Sequence, residues 1–215
     1  MKITIWSDFV CPFCYIGEAH LNKALKNVNL PLEYEIEYRS FQLDPTGHYM
    51  ANKSYVETLS ELKGVPIEQA EGLTRHVQEM AKEADLEVDY DQAVYANTMD
   101  AHRVFQFAKE NNLGNEYFHR LYRAHFVEGE NLEDHSTIIK LGSDIGLDPV
   151  KLEEILESKS LYSEAVQDNI GLATSIGVQG VPFFIFNEKY AVSGAQPVEL
   201  FEDVIKKVKS ESGDH

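Results

Sequence analysis

The chain has 215 residues, 43% of them hydrophobic and 11% aromatic, which suffices to bury a sizeable core and excludes a disordered protein. Its net charge of −17 argues against nucleic acid and anionic membranes, whose recognition rests on clustered Lys and Arg, and an acidic solvated surface accounts for it. No window approaches about 18 uninterrupted apolar residues and no secretory h-region follows the first residues, so a soluble, cytoplasmic protein is expected.

Ile3-Thr4-Ile5-Trp6 alternates and reads as a strand. The only two cysteines follow it, in the run Val10-Cys11-Pro12-Phe13-Cys14. Two randomly placed cysteines would fall at this spacing roughly once in a hundred times, so the pair reads as one chemical device. Pro12 suits the first position of a helix, where its missing N–H is not needed, and residues 15–25 repeat their apolar side chains at three and four. Cys11 is therefore the expected N-cap, its sulfur facing free N–H groups and the positive end of the helix dipole, which favour a thiolate. Cys11 is the expected nucleophile and Cys14, one turn further in, the expected resolving thiol. Two other readings of the pair are weaker. A structural zinc site needs four ligands, and no second CxxC or HxxxH-type pair is offered, so no metal is expected. A purely structural disulfide over so short a loop does little to restrict the unfolded chain.

Residues 33–41 alternate with period two and predict a second strand. From about Ser54 to about Ile176 the period is helical almost throughout, punctuated at Gly64-Val65-Pro66, at 111–114, at Gly129 and at 146–149, where Asp148-Pro149 marks another helix start. Strand texture returns at 181–186, turns at Asn187-Glu188 and continues through 189–193; a last amphipathic helix runs from Pro197 to about Val208. This order predicts an α/β domain, residues 1–50 plus 160–215, split by a helical insertion over 51–159, because neither flanking half can bury its own sheet.

A strand followed by CPxC, a helical insertion, and Gly180-Val181-Pro182 opening a strand resembles the DsbA family of the thioredoxin superfamily, and in particular its cytoplasmic FrnE-like branch. The stretches 97–103 (NTMDAHR) and 124–131 (AHFVEGEN) are similar to that branch as well. The resemblance implies a thioredoxin-like fold, a cis bond before Pro182 beside the cysteines, and Pro12, Phe13, Val181 and Pro182 as substrate-contacting residues. An extended substrate can pair with the free backbone of Val181 and present its sulfur to Cys11. In DsbA the residue preceding the second cysteine is histidine. Phe13 brings no such cation, which predicts a milder oxidant.

Other residues carry less. His20 lies half a turn round the helix from Cys11 and about 13 Å along it, so it reads as packing or surface. Glu18 shares the cysteine face and can relay a proton to Cys14, although a satisfied or solvated carboxylate is the plainer reading. Asp8 would oppose a thiolate at Cys11 if close. His102, His119 and His125 read as core or surface residues rather than ligands. Val104, Phe105, Phe107, Leu121 and Phe126 are expected to form the insertion's own core, and by family likeness the part leaning over Cys11 is a groove for unfolded chains.

The expected activity is thiol–disulfide exchange of the reductase or isomerase type on protein or small-thiol disulfides, with no cofactor. Glutathione or a thioredoxin-type reductant is the expected electron source, with no nucleic acid or membrane partner. Two alternatives are a glutathione-dependent isomerase or transferase of the hydroxychromene-carboxylate isomerase or kappa-class type, which usually has serine in place of Cys11 and lacks Cys14, and a non-catalytic chaperone-like or assembly-partner protein.

Overall fold

β1 (Lys2–Ser7) lies beside β2 (Glu35–Ser40) in parallel, with Lys2 opposite Glu35 and Ser7 opposite Ser40, in the computed structural model, which describes residues 1–28 and 33–212. A parallel pair needs a crossover, and α1 (Pro12–Asn27) is that crossover. On its other edge β1 pairs antiparallel with β3 (Phe183–Phe186). A three-residue turn, 187–189, whose first two residues Asn187 and Glu188 are left-handed with φ of 47° and 57°, leads from β3 into β4 (Tyr190–Ser193). The sheet order is β2-β1-β3-β4, so segments at the two ends of the sequence share one sheet.

Alternation along the strands sets the two faces. Ile3, Ile5, Phe184, Phe186 and Val192 enter the main core, which α1 and the C-terminal helix α9 (Val198–Ser212) help to close through Leu21, Ala24, Phe201 and Ile205. Phe184 and Phe201 meet edge to face at 4.9 Å, a pairing that adds about 0.5–1.5 kcal/mol to the burial itself. Trp6, Phe183 and Ile185 face the other way, against Ala173 and Val178.

Between β2 and β3 run seven helices: α2 (Tyr55–Lys63), α3 (Ile67–Glu83), α4 (Met99–Glu110), α5 (Gly114–Phe126), α6 (His135–Asp144), α7 (Pro149–Glu157) and α8 (Ser163–Ser175). The start and stop signals act as expected. Asp148 caps α7 by accepting from the Val150 amide at 2.9 Å, and Gly64 ends α2 in the left-handed region at φ 62°.

Two expectations need correction. The helical period does not run unbroken: residues 84–98 leave the helix between α3 and α4 without a glycine or proline to signal it. There Val88, Tyr90, Ala93 and Ala96 are each buried and the Asp89 amide bonds the Phe126 carbonyl at 2.7 Å, so tertiary contacts override local propensity. The helical block also has no separate core. Val104, Phe105, Leu121 and Phe126 are fully buried, but in one cluster with the sheet residues, and Phe107 is only half-buried. Phe9, in the loop after β1, is the bridge: its ring sits 4.4 Å from Phe118 and 4.4 Å from His102. Burying such a ring contributes about 1.5–3 kcal/mol and fixes the CPFC loop against the helices.

Candidate active site

Cys11 caps α1 with extended backbone, φ −91° and ψ 107°, and its sulfur accepts the Cys14 amide at 3.3 Å. Its thiol donates to the Val181 carbonyl at 3.6 Å. Both cysteines are reduced and buried, at 2% and 1% exposure. The Val181–Pro182 bond is cis, and the loop carrying it sits against α1 at Gly17, where a side-chain carbon would come within 3.0 Å of Pro182 Cγ and 3.2 Å of Phe184 Cζ. A glycine in mid-helix is unfavourable by about 0.5–1 kcal/mol relative to alanine, and here it admits the loop that holds Val181 over Cys11. Val181 is not wholly free as expected, since its carbonyl already takes the Cys11 thiol; its amide has no partner among the described residues.

The two thiols differ in their surroundings. Burial holds the Cys14 thiol well above its ordinary range, and the hydrogen bond and charge of Cys11 push the same way, while the Ser7 hydroxyl and the Asp8 amide pull against them. Behind Cys14 lies a polar cluster. Ser7 Oγ and the Tyr122 hydroxyl share a 2.5 Å hydrogen bond. The Glu18 carboxylate pairs through one oxygen with Nε2 of the exposed His119 at 3.2 Å. Its other oxygen and the Tyr38 hydroxyl are buried facing each other, short of good hydrogen-bond geometry. Burial pushes the Glu18 carboxyl up, while His119 and the phenol pull it down; the carboxyl in turn adds to the burial that holds the phenol up. Glu18 is therefore neither solvated nor fully satisfied.

Of the remaining sequence candidates, Asp8 lies beside the thiols, its carbonyl accepting the Cys11 amide at 3.2 Å, but its carboxylate is engaged. The Asp8 oxygens are taken by the Leu43 amide at 2.8 Å and by His102 Nε2 at 3.2 Å. His20 bonds the Gln196 carbonyl at 2.8 Å, away from the thiols. His125 is wholly buried, with neither ring nitrogen partnered, and burial lowers its pKa to about 4. The stretch beginning at Asn97 fastens the helical block to the loop after β2: its side chain accepts from Gln42 at 2.9 Å and donates to the Gly47 carbonyl at 3.0 Å.

On the Cys11 side a cavity of about 680 Å³ opens against the CPFC loop. Val10, Pro12 and the exposed Phe13 form one wall; Tyr55, Leu59 and Leu62 of α2, Leu73 and Val77 of α3, and Tyr90 and Tyr95 of the non-helical segment form the others. Pro12 and Phe13 thus meet the cavity, and Val181 meets Cys11. The tyrosines were missed, because no period or spacing marks them. The signal available was three aromatics in polar surroundings, at 55, 90 and 95, with no helical register between them.

Known proteins share this fold. The pattern of the DSBA-like thioredoxin domain matches residues 2–206. An uncharacterized protein of Bacillus subtilis, YwbO, is 29% identical over 95% of this chain and 96% of its own. The crystal structure of a probable DsbA oxidoreductase from Streptomyces coelicolor superposes with a TM-score of 0.89 at 30% identity, covering 98% of this chain and 91% of that one. The cytosolic disulfide reductase DsbM from Pseudomonas aeruginosa, determined with GSH, has the same fold at a TM-score of 0.66 and 17% identity over 97% and 100% of the two chains. The chain belongs to the DSBA-like thioredoxin domain family.

Proposed function

We propose that the protein is a thiol–disulfide oxidoreductase of the reductase or isomerase type, working through the Cys11/Cys14 dithiol in the cytoplasm. The observation that carries this reading is the asymmetry of the pair: Cys11 caps α1 against the Val181 carbonyl, in the loop whose Val10, Pro12 and Phe13 line the cavity, while burial holds the proton on Cys14. The Cys11 thiolate attacks one sulfur of a disulfide RS–SR′, forming Cys11–S–S–R and releasing R′S⁻. Once its sulfur is in that bond, Cys11 no longer donates to the Val181 carbonyl, which is then free to pair with the substrate backbone. Cys14, after losing its proton, attacks the Cys11 sulfur; the enzyme disulfide forms and RS⁻ leaves, so the substrate gains the two electrons that the dithiol loses. Glu18, one helical turn beyond Cys14 on the same face of α1, is the proposed proton acceptor, with the exposed His119 as its link to solvent.

Reduction or isomerisation is favoured over net oxidation because Phe13 places no cation beside Cys11. Among the described residues no helix is long and apolar enough to cross a membrane, and both cysteines belong to the motif, which suits a reducing compartment. Glutathione is the proposed electron donor, a choice supported by the same fold in the DsbM structure with GSH. Residues 51–159 are read as the insertion that roofs the site, set into a domain of residues 1–50 and 160–215.

The test is insulin reduction by glutathione together with a redox titration of the purified protein. Cys11→Ser is expected to abolish turnover, and Cys14→Ser to accumulate mixed disulfides. The potential is expected nearer about −270 mV, the reductase end of the scale, than about −120 mV, the oxidant end. Turnover that survives Cys11→Ser would refute the reading.

A further inference from the structure

We propose that Tyr55 and Tyr90 are catalytic hydrogen-bond donors that stabilise the sulfur departing when Cys11 attacks a disulfide. This rests on Cys11 being the nucleophile and adds what the cavity beside it contributes. The two rings pack together at 4.7 Å and are 9% and 5% exposed, and both line the cavity. Among the described residues neither hydroxyl has a hydrogen-bond partner, whereas the neighbouring Tyr95 donates to Asp44 Oδ2 at 2.5 Å. The rings are buried but the two hydroxyl oxygens are open to the cavity, so they are free to donate to a group that enters it.

The identity of that group follows from position and charge. Both phenols feel the charge of Cys11, and burial holds both above their ordinary range, so they remain protonated and can only donate or accept as neutral groups. Neither reaches the Cys11 sulfur, whose own thiol goes to Val181. In disulfide exchange the three sulfurs align, so the departing sulfur lies beyond the central one, where negative charge develops while the attacking sulfur loses it. Leu59 and Val77 of the same wall offer no donor, while Lys63, Thr74, His76 and Thr98 also line the cavity; Tyr55 and Tyr90 are the donors there that feel the charge of Cys11. The bond Cys11–S–S–R forms, the RS–SR′ bond breaks, and the electron pair leaves on R′S⁻. The phenols keep their protons and donate hydrogen bonds; the released thiolate takes its proton from water. The benefit is greatest where the leaving thiolate is most basic, so the substrate class is alkyl disulfides.

The experiment uses the full chain with Cys14→Ser, so that only the first exchange is read, and measures second-order rates with 2-hydroxyethyl disulfide, an alkyl substrate, and with 5,5′-dithiobis(2-nitrobenzoate), whose aryl thiolate leaves readily. Adding Tyr55→Phe and Tyr90→Phe together is expected to slow the alkyl disulfide about tenfold, the scale of a hydrogen bond to a charged group, and the aryl disulfide less than about twofold. Each single variant is expected to fall between, and Tyr95→Phe to leave the ratio of the two rates unchanged. Equal slowing of both substrates, or slowing of neither, overturns the role of the phenols while leaving Cys11 as the nucleophile. Loss of all exchange in the Cys14→Ser parent overturns both.

Discussion

The two sides of the α1 N-terminus differ in what surrounds an identical functional group. Towards the helical block, the neighbours of Cys11, Val10, Pro12 and Phe13, line a mainly apolar cavity that also holds two unpaired phenols. Towards the sheet, Cys14 is packed among Ser7, Tyr122, Tyr38 and Glu18, and burial holds its proton on. One side has open space and hydroxyl donors; the other is filled and holds a buried carboxylate. The chemistry of a CxxC pair is thus divided by packing, three residues apart, more than by the cysteines themselves.

The largest expected effect tests the wall behind the cavity. His125 lies behind Tyr55, with ring centroids 6.4 Å apart, and is kept neutral by burial, its pKa lowered to about 4 from 6.5. A lowered pKa makes the folded state bind fewer protons than the unfolded state, so stability is fully present above about pH 6.5 and is lost as pH falls towards 4. Two to three pH units of such linkage amount to about 3 kcal/mol. His125→Phe removes a group with no hydrogen bond to lose, so urea unfolding across pH 7 to 4.5 is expected to show a shallower loss in the variant by about that amount. Parallel pH profiles for the two proteins would mean that His125 does not constrain this wall.

A smaller effect is expected on the other side. Burial raises the Glu18 carboxyl, so its deprotonation sets in above the usual carboxylate range, and its capacity to take the Cys14 proton grows as pH rises through that shifted value. Glu18→Gln is expected to slow the resolution of a preformed Cys11 mixed disulfide about tenfold, to remove that pH dependence, and to leave the first exchange at Cys11 unchanged. Stopped-flow measurement of thiol release reads both steps. Slowing of the first step alone would assign Glu18 to the wrong thiol.

Much of this site is legible in the chain because it is local. Cys11, Pro12 and Cys14 form a cap, a first helical position and a first turn, and the alternation of residues 3–6 and 183–186 fixes which strand faces meet the core. What is not legible comes from distant packing. Glu18 acquires its buried, half-paired state from His119 in α5 and Tyr38 in β2, and no pattern within α1 encodes either. Tyr90 and Tyr95 reach the cavity only because residues 84–98 abandon a helix that nothing local tells them to leave. For the same reason the helical block reads as self-contained in sequence yet shares its core with the sheet through Phe9.

The central claim is that Cys11 reacts and Cys14 resolves. Brief alkylation of the reduced protein with limiting iodoacetamide at neutral pH, followed by peptide mass spectrometry, tests it most directly. The structure predicts modification at Cys11 well before Cys14, because Cys11 caps the helix while burial holds the proton on Cys14. Modification of Cys14 first, or of both at equal rates, would contradict it.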